Sequence, residues 1–91
     1  MGSLSTSSNS VRSVAVDVQN PKRVYAAGPA GMFRSDDAGV TWAEAGKGLT
    51  SEPLAVAAEP TAAHIVFTAL ADGSAWRSND GAATWQRMAG A

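Results

Sequence analysis

Ser35-Asp36-Asp37-Ala38-Gly39-Val40-Thr41-Trp42 returns 43 residues later as Ser78-Asn79-Asp80-Gly81-Ala82-Ala83-Thr84-Trp85. Both copies fit Ser-x-Asp-x-small-x-Thr-Trp. The same offset places Arg34 on Arg77 and Phe33 on Trp76. Farther upstream the offset falls to 42: Val24-Tyr25 matches Val66-Phe67, and Val14-Ala15-Val16-Asp17 matches Val56-Ala57-Ala58-Glu59. One residue is therefore inserted between Phe67 and Ser74, a change of loop length inside an otherwise aligned repeat. Self-similarity at this spacing points to an array of supersecondary units, each of which buries its apolar face against a neighbour.

Each unit divides into four short extended segments. The pattern predicts strands over Val14–Val18, Arg23–Ala27, Gly31–Ser35 and Thr41–Ala45, then over Leu54–Ala58, Ile65–Leu70, Ser74–Ser78 and Thr84–Met88. Turn formers fill the gaps: Asn20-Pro21, Gly28-Pro29, Gly46–Gly48, Pro60 and Asp72-Gly73. Short strands with turn signals at this density indicate an all-β protein. Alanine favours helix intrinsically, but here it is scattered among β-branched, aromatic and turn residues without a sustained helical period, and pattern outweighs propensity. Four strands per unit at this period predict propeller blades. The expected organisation is two four-stranded antiparallel blades, over residues 11–49 and 50–91, after a flexible leader or ring-closing segment over 1–10.

The Ser-x-Asp-x-small-x-Thr-Trp segment resembles the Asp-box, or BNR repeat, of sialidases, sortilin-type receptors, xyloglucanase-like glycoside hydrolases and a photosystem II assembly factor. The resemblance runs from Val14 to Met88 and includes the strand-loop-strand VDVQNPKRVYAAG (Val16–Gly28) before the first box. Physically, such a box locks a β-hairpin. Asp37 and Asp80 accept bonds from backbone amides of the following turn, and Ser35 and Ser78 add a second local bond. Gly39 takes a positive φ at low cost. Thr41 and Thr84 return the chain to extended backbone, and Trp42 and Trp85 fold over the hairpin as apolar caps. The second copy departs from the pattern, because its glycine is Gly81, one place early, and Ala82 stands where Gly39 stands. A left-handed Ala82 costs about 1–2 kcal/mol, which predicts that the second hairpin is the weaker. In the resembled family the box lies at the blade's periphery, away from the binding face, which implies a structural role for these residues.

Composition narrows the rest. Ninety-one residues bury only about 60–65% of the unfolded chain's surface, and units this small usually need disulfides, a metal or oligomerisation. There is no cysteine, and His64 is the single histidine, so disulfides and thiolate or zinc sites are not expected. Asp36 with Asp37 suggests a calcium loop only superficially, because an EF-hand loop ends in a bidentate glutamate and Glu44 lacks that spacing. No metal or cofactor is predicted. The net charge of −1, with Lys22-Arg23 as the main basic pair, argues against nucleic acid. No apolar run is long enough for a membrane span, and residues 1–10 lack the charged and apolar regions of a signal peptide. Members of the resembled family are often extracellular; the compartment stays open.

Asp17 and Glu59 occupy equivalent repeat positions. A pair of carboxylates performs acid/base glycoside hydrolysis when held about 5–10 Å apart, while the simpler reading has each carboxylate anchoring its own loop. Sialidase chemistry needs an arginine cluster and a tyrosine nucleophile, whereas Arg12, Arg23 and Arg87 are scattered and Tyr25 is the single tyrosine. Arg34 and Arg77 are expected on outer strand faces beside acids. Phe33, Trp42, Trp76 and Trp85 suit sugar stacking or blade packing, and packing fits their equivalent placement better. The function expected is a non-enzymatic propeller module for scaffolding or ligand binding, with carbohydrate a candidate ligand. Its binding rim is placed at Asp17–Asn20, Glu59–Ala63 and Gly28–Ala30. Two blades share one interface and leave two faces bare, so a homo-oligomer is expected: six blades as a trimer or eight as a tetramer. The alternative is a fragment of a secreted glycoside hydrolase whose catalytic residues lie largely elsewhere.

Overall fold

The computed structural model describes residues 11–62 and 64–88. The segment 1–10 and the rim residue Ala63 lie outside the described residues. Eight strands follow in order: β1 (Ser13–Val16), β2 (Val24–Gly28), β3 (Gly31–Ser35), β4 (Ala43–Glu44), β5 (Pro53–Ala58), β6 (Val66–Leu70), β7 (Ala75–Ser78) and β8 (Gln86–Arg87). They form two four-stranded antiparallel sheets, ordered β1-β2-β3-β4 and β5-β6-β7-β8. Among the described residues there is no helix. The repeat, not the alanine content, decides the fold.

Strand limits depart from the sequence reading where turns capture the ends. β1 stops at Val16 instead of Val18, because Asp17 starts a turn whose Asn20 amide donates to the Asp17 carbonyl at 3.0 Å. β4 and β8 hold two residues each, shorter than Thr41–Ala45 and Thr84–Met88, because both threonines are engaged by the preceding hairpin. β5 opens on Pro53, a first-strand position where a missing N–H is tolerated.

Register makes the repeat visible in space. Val24 faces Ser35, Tyr25 faces Arg34 and Ala27 faces Met32; Val66 faces Ser78, Phe67 faces Arg77 and Ala69 faces Ala75. The inserted residue falls in the β6–β7 turn, as the change of offset requires. There Gly73 takes φ 87°, and the Ser74 amide donates to Asp72 Oδ1 at 3.0 Å.

The core lies between the two sheets. Tyr25, Ala27, Met32 and Ala45 of the first sheet meet Val56, Val66, Ala82 and Trp85 of the second, with Ala15, Leu49 and Trp76 at the edge. The molecule is a slab of 36 × 30 × 17 Å, its short axis suiting two sheets stacked about 10 Å apart. β1 reads against the usual pattern. Ser13 and Ala15 turn toward the second sheet, where the Val56 amide donates to Ser13 Oγ at 3.1 Å, while Val14 and Val16 point outward and are exposed.

Candidate functional site

The two hairpins share one hydrogen-bond pattern. Ser35 Oγ donates to Asp37 Oδ1 at 2.7 Å and accepts from the Gly39 amide at 2.8 Å; Ser78 Oγ donates to Asp80 Oδ1 and accepts from the Ala82 amide, both at 2.8 Å. The Thr41 and Thr84 amides donate to Asp37 Oδ1 and Asp80 Oδ1 at 2.8 and 2.9 Å, and their hydroxyls donate to the second carboxylate oxygens. Each aspartate therefore spans its turn with both oxygens. These donors, the threonine hydroxyl first and then the threonine amide and serine hydroxyl, hold both carboxyls down at about 2, from 3.8. Because the folded-state value lies below the unfolded one, the stabilisation is complete above about pH 4 and is lost as pH falls toward about 2. The thermal midpoint is expected to drop across that window and to drop less in the Asp37→Asn/Asp80→Asn variant. An unchanged slope in the variant contradicts the assignment.

Backbone geometry corrects the expectation that the second hairpin is weaker. Ala38 and Gly39 have φ 63° and 96°, and Gly81 and Ala82 have φ 71° and 73°. Two consecutive left-handed residues are required, and each hairpin supplies one glycine and one alanine in opposite order. The conformational cost of one left-handed alanine falls on both turns.

The tryptophans diverge although their positions correspond. Trp42 Nε1 donates at 3.0 Å to the Gly39 carbonyl of its own hairpin. Trp85 is only 9% exposed and donates at 2.7 Å to the Ala45 carbonyl of the first sheet. Trp85 thus joins the sheets, whereas the sequence reading made it a local cap. A second joint lies beside it: Arg34, held by Asp36 at 2.9 Å, donates through Nη1 to the Gly81 carbonyl at 2.7 Å. A Cβ at Gly81 would stand 2.6 Å from that nitrogen. Arg34 is therefore half-buried and joins the sheets as well as pairing with an acid, while Arg77 stays exposed on Asn79 at 2.8 Å. Farther along the junction, Arg23 Nη1 lies 2.7 Å from His64 Nδ1; a guanidinium has donors only, so this ring nitrogen accepts.

Asp17 and Glu59 hold corresponding loops. Asp17, 2% exposed, accepts the Gln19 amide on Oδ1 at 2.9 Å, and its Oδ2 lies 3.8 Å from Arg23 Nη1. Glu59 Oε1 accepts from the Thr61 amide and hydroxyl at 3.2 and 2.9 Å. Burial pushes the Tyr25 phenol up. The strand order separates the proposed rim: Asp17–Asn20 and Glu59–Pro60 lie at the hairpin-lock end of the sheets, and the Gly28–Ala30 turn lies at the other. In a meander, successive turns alternate between ends. At that other end an open depression of about 460 Å³ is lined by Ala30, Gly31, Met32, Glu44, Gly46 and Lys47. Among the described residues no three His, Asp or Glu side chains gather as metal ligands, and no helix is long and apolar enough to cross a membrane.

No protein-family model matches the chain, and no curated protein matches it in sequence. Solved structures do. One is described as YCF48 bound to D1 peptide, with a TM-score of 0.67 and 19% identity over 85% of this chain and 25% of that one. Another is YCF48 from Cyanidioschyzon merolae, with a TM-score of 0.52 and 15% identity over 85% of this chain and 36% of that one. The chain thus spans a quarter to about a third of the length of these neighbours. Both are β-propeller proteins, and the two meanders of this chain have the fold of propeller blades.

Proposed function

We propose that this chain is a non-enzymatic β-propeller module that scaffolds protein partners, assembles through its blade faces and takes an extended peptide as ligand. One observation carries the reading. The carboxylates that the sequence nominates for chemistry, Asp17 and Glu59, are committed to their own loops, each accepting the amide two residues ahead, and the box aspartates Asp37 and Asp80 each span a turn. What the molecule presents outward is surface: two apolar sheet faces, and a depression whose rim offers Glu44, Lys47 and the backbone of Gly31 and Gly46. An extended chain with free amides and carbonyls suits such a rim. The peptide-bound state of the first neighbour supports this ligand class. No observation favours the Asp-box glycoside hydrolases or a glycan ligand over it.

The test exposes the assembled protein to an array of overlapping peptides and to a glycan array. Saturable retention of peptides, weakened by Lys47→Glu, is the expected result. Retention of glycans alone, or hydrolysis of β-glucan or sialoside substrates lost in Asp17→Asn or Glu59→Gln, overturns the proposal.

A further inference from the structure

The junction between the blades contains two unlike halves, and the repeat writes each half a second time on a bare face. Blade 1 contributes Tyr25, Ala27, Met32 and Ala45; the matching residues of blade 2 are Phe67, Ala69, Ala75 and Met88, on the face turned away from blade 1. Blade 2 contributes Val56, Val66, Ala82 and Trp85; the matching residues of blade 1 are Val14, Val24, Gly39 and Trp42. Every position of both repeated sets is apolar or glycine. The methionine even changes place with its alanine neighbour. Ala45 donates to the Met32 carbonyl at 2.8 Å and Met88 to the Ala75 carbonyl at 2.9 Å, so one methionine and one alanine fill the same two-strand site in either order.

Both repeated sets are partly open to solvent: Val14, Ala69 and Met88 are exposed, Val24, Trp42, Phe67 and Ala75 are half-buried, and the Arg77 guanidinium lies 5.9 Å from the centre of the Phe67 ring. Val14 is 57% and Met88 39% exposed, and Val16 stands beside Val14 on the same face. The outer face of blade 2 holds a depression of about 250 Å³, lined among others by Ala55, Ala57, Phe67, Ala69 and Met88. β1 directs its valines outward and its small residues inward, as a strand does when a second layer covers its outer side.

We infer that a second copy of this chain docks head-to-tail on the outer face of blade 2, its Trp42 seated at Met88 as Trp85 is seated at Ala45. The inference rests on the propeller-module reading and names the partner of its bare faces. A second copy is the occupant that brings the complementary half of the junction, position by position. On docking, the Trp42 indole N–H exchanges the Gly39 carbonyl for the Met88 carbonyl. Several polar joints are not repeated: where Arg23 meets His64 within the chain, the repeat offers Ile65 and Lys22. Ala38 carries a methyl where Gly81 has none, which keeps Arg77 from the approach that Arg34 makes, and Ala55 lacks the Ser13 hydroxyl. The junction between copies therefore depends on apolar contact and Trp42, and is weaker than the one within the chain. Because the two faces differ, each copy docks and is docked upon, and a head-to-tail array of this kind forms a ring when the rotation between copies completes a turn.

Two complementary blocks test this. Val14→Asp spoils the blade 1 face, Met88→Asp spoils the blade 2 face, and both sites are exposed; Val16→Asp and Ala57→Asp form a second pair on the same faces. Light scattering is read with near-UV circular dichroism as the check of folding. Wild type is expected above the mass of two chains, and each variant alone at the single-chain 9.3 kDa. An equal mixture of the two variants is expected at twice that mass, because one intact face of each remains. Wild type at single-chain mass, assembly of either variant alone, or a mixture that stays at single-chain mass overturns the inference. Peptide retention is scored separately: loss of assembly with peptide binding intact rejects head-to-tail docking alone, and intact assembly without peptide binding rejects the ligand reading alone.

Discussion

Replacing Trp85 with alanine is expected to lower the folding free energy by about 3–5 kcal/mol, the range for emptying a large aromatic site in a packed core. Its indole lies in the only apolar layer shared by the two sheets among the described residues, against Tyr25, Met32 and Ala45. The substitution also leaves the Ala45 carbonyl without the 2.7 Å donor that ties the blades together, and a buried acceptor left unpaired costs a further 1–3 kcal/mol or so. A domain of this size loses about 4–8 °C of midpoint for each kcal/mol, so thermal unfolding followed by circular dichroism reads the change easily. Trp85→Phe is expected to recover much of the packing and none of the hydrogen bond. Trp42→Ala provides the contrast. Trp42 bonds only its own hairpin within the chain, so its effect grows with protein concentration as docking between copies becomes populated, whereas the Trp85 effect does not. Equal, concentration-independent losses at both tryptophans contradict the assignment of Trp85 to the inner junction and Trp42 to the outer one.

Gly81→Ala is expected to cost about 2 kcal/mol or more, from two sources that can be separated. The first is conformational: φ is 71° at Gly81, and an L-residue in that region costs about 1–2 kcal/mol. The second is steric, since the new methyl would stand 2.6 Å from Arg34 Nη1 and displace the guanidinium from the Gly81 carbonyl. Gly39→Ala isolates the first source, because its φ is 96° and its Cβ meets only Trp42 at 3.7 Å. Ala38→Gly runs the other way at the position equivalent to Gly81; it relieves a left-handed alanine on the surface and is expected to raise stability by a comparable 1 kcal/mol or so. Denaturant midpoints of the three variants check the ordering. If Gly81→Ala proves no worse than Gly39→Ala, the Arg34 bridge contributes nothing.

How much of this was readable beforehand follows from what a repeat encodes. Offsets of 42 and 43 carried the number of strands and the position of the extra residue, because equivalent residues occupy equivalent sites in stacked sheets; the pairing register inside each sheet was not readable from them. The serine, aspartate and threonine of each hairpin were readable for the same reason, their bonds being local. The swapped Ala-Gly and Gly-Ala pairs read as a strain on the second hairpin alone, because a single glycine per hairpin hides that both turn positions are left-handed. What lies between blades was not readable. Trp42 and Trp85 hold equivalent repeat positions and differ in that Trp85 has a blade beneath it. The reach of Arg34 to Gly81 depends on sheet stacking, which neither segment records alone. The burial of Asp17, which starts the turn closed by the Asn20 amide, depends on tertiary packing that the repeat does not record.

Light scattering on the unaltered protein tests most directly whether the repeated junction drives closure. A molar mass near three or four times 9.3 kDa, constant on further concentration, is the expected result. A folded species that stays at 9.3 kDa up to the highest attainable concentration contradicts it.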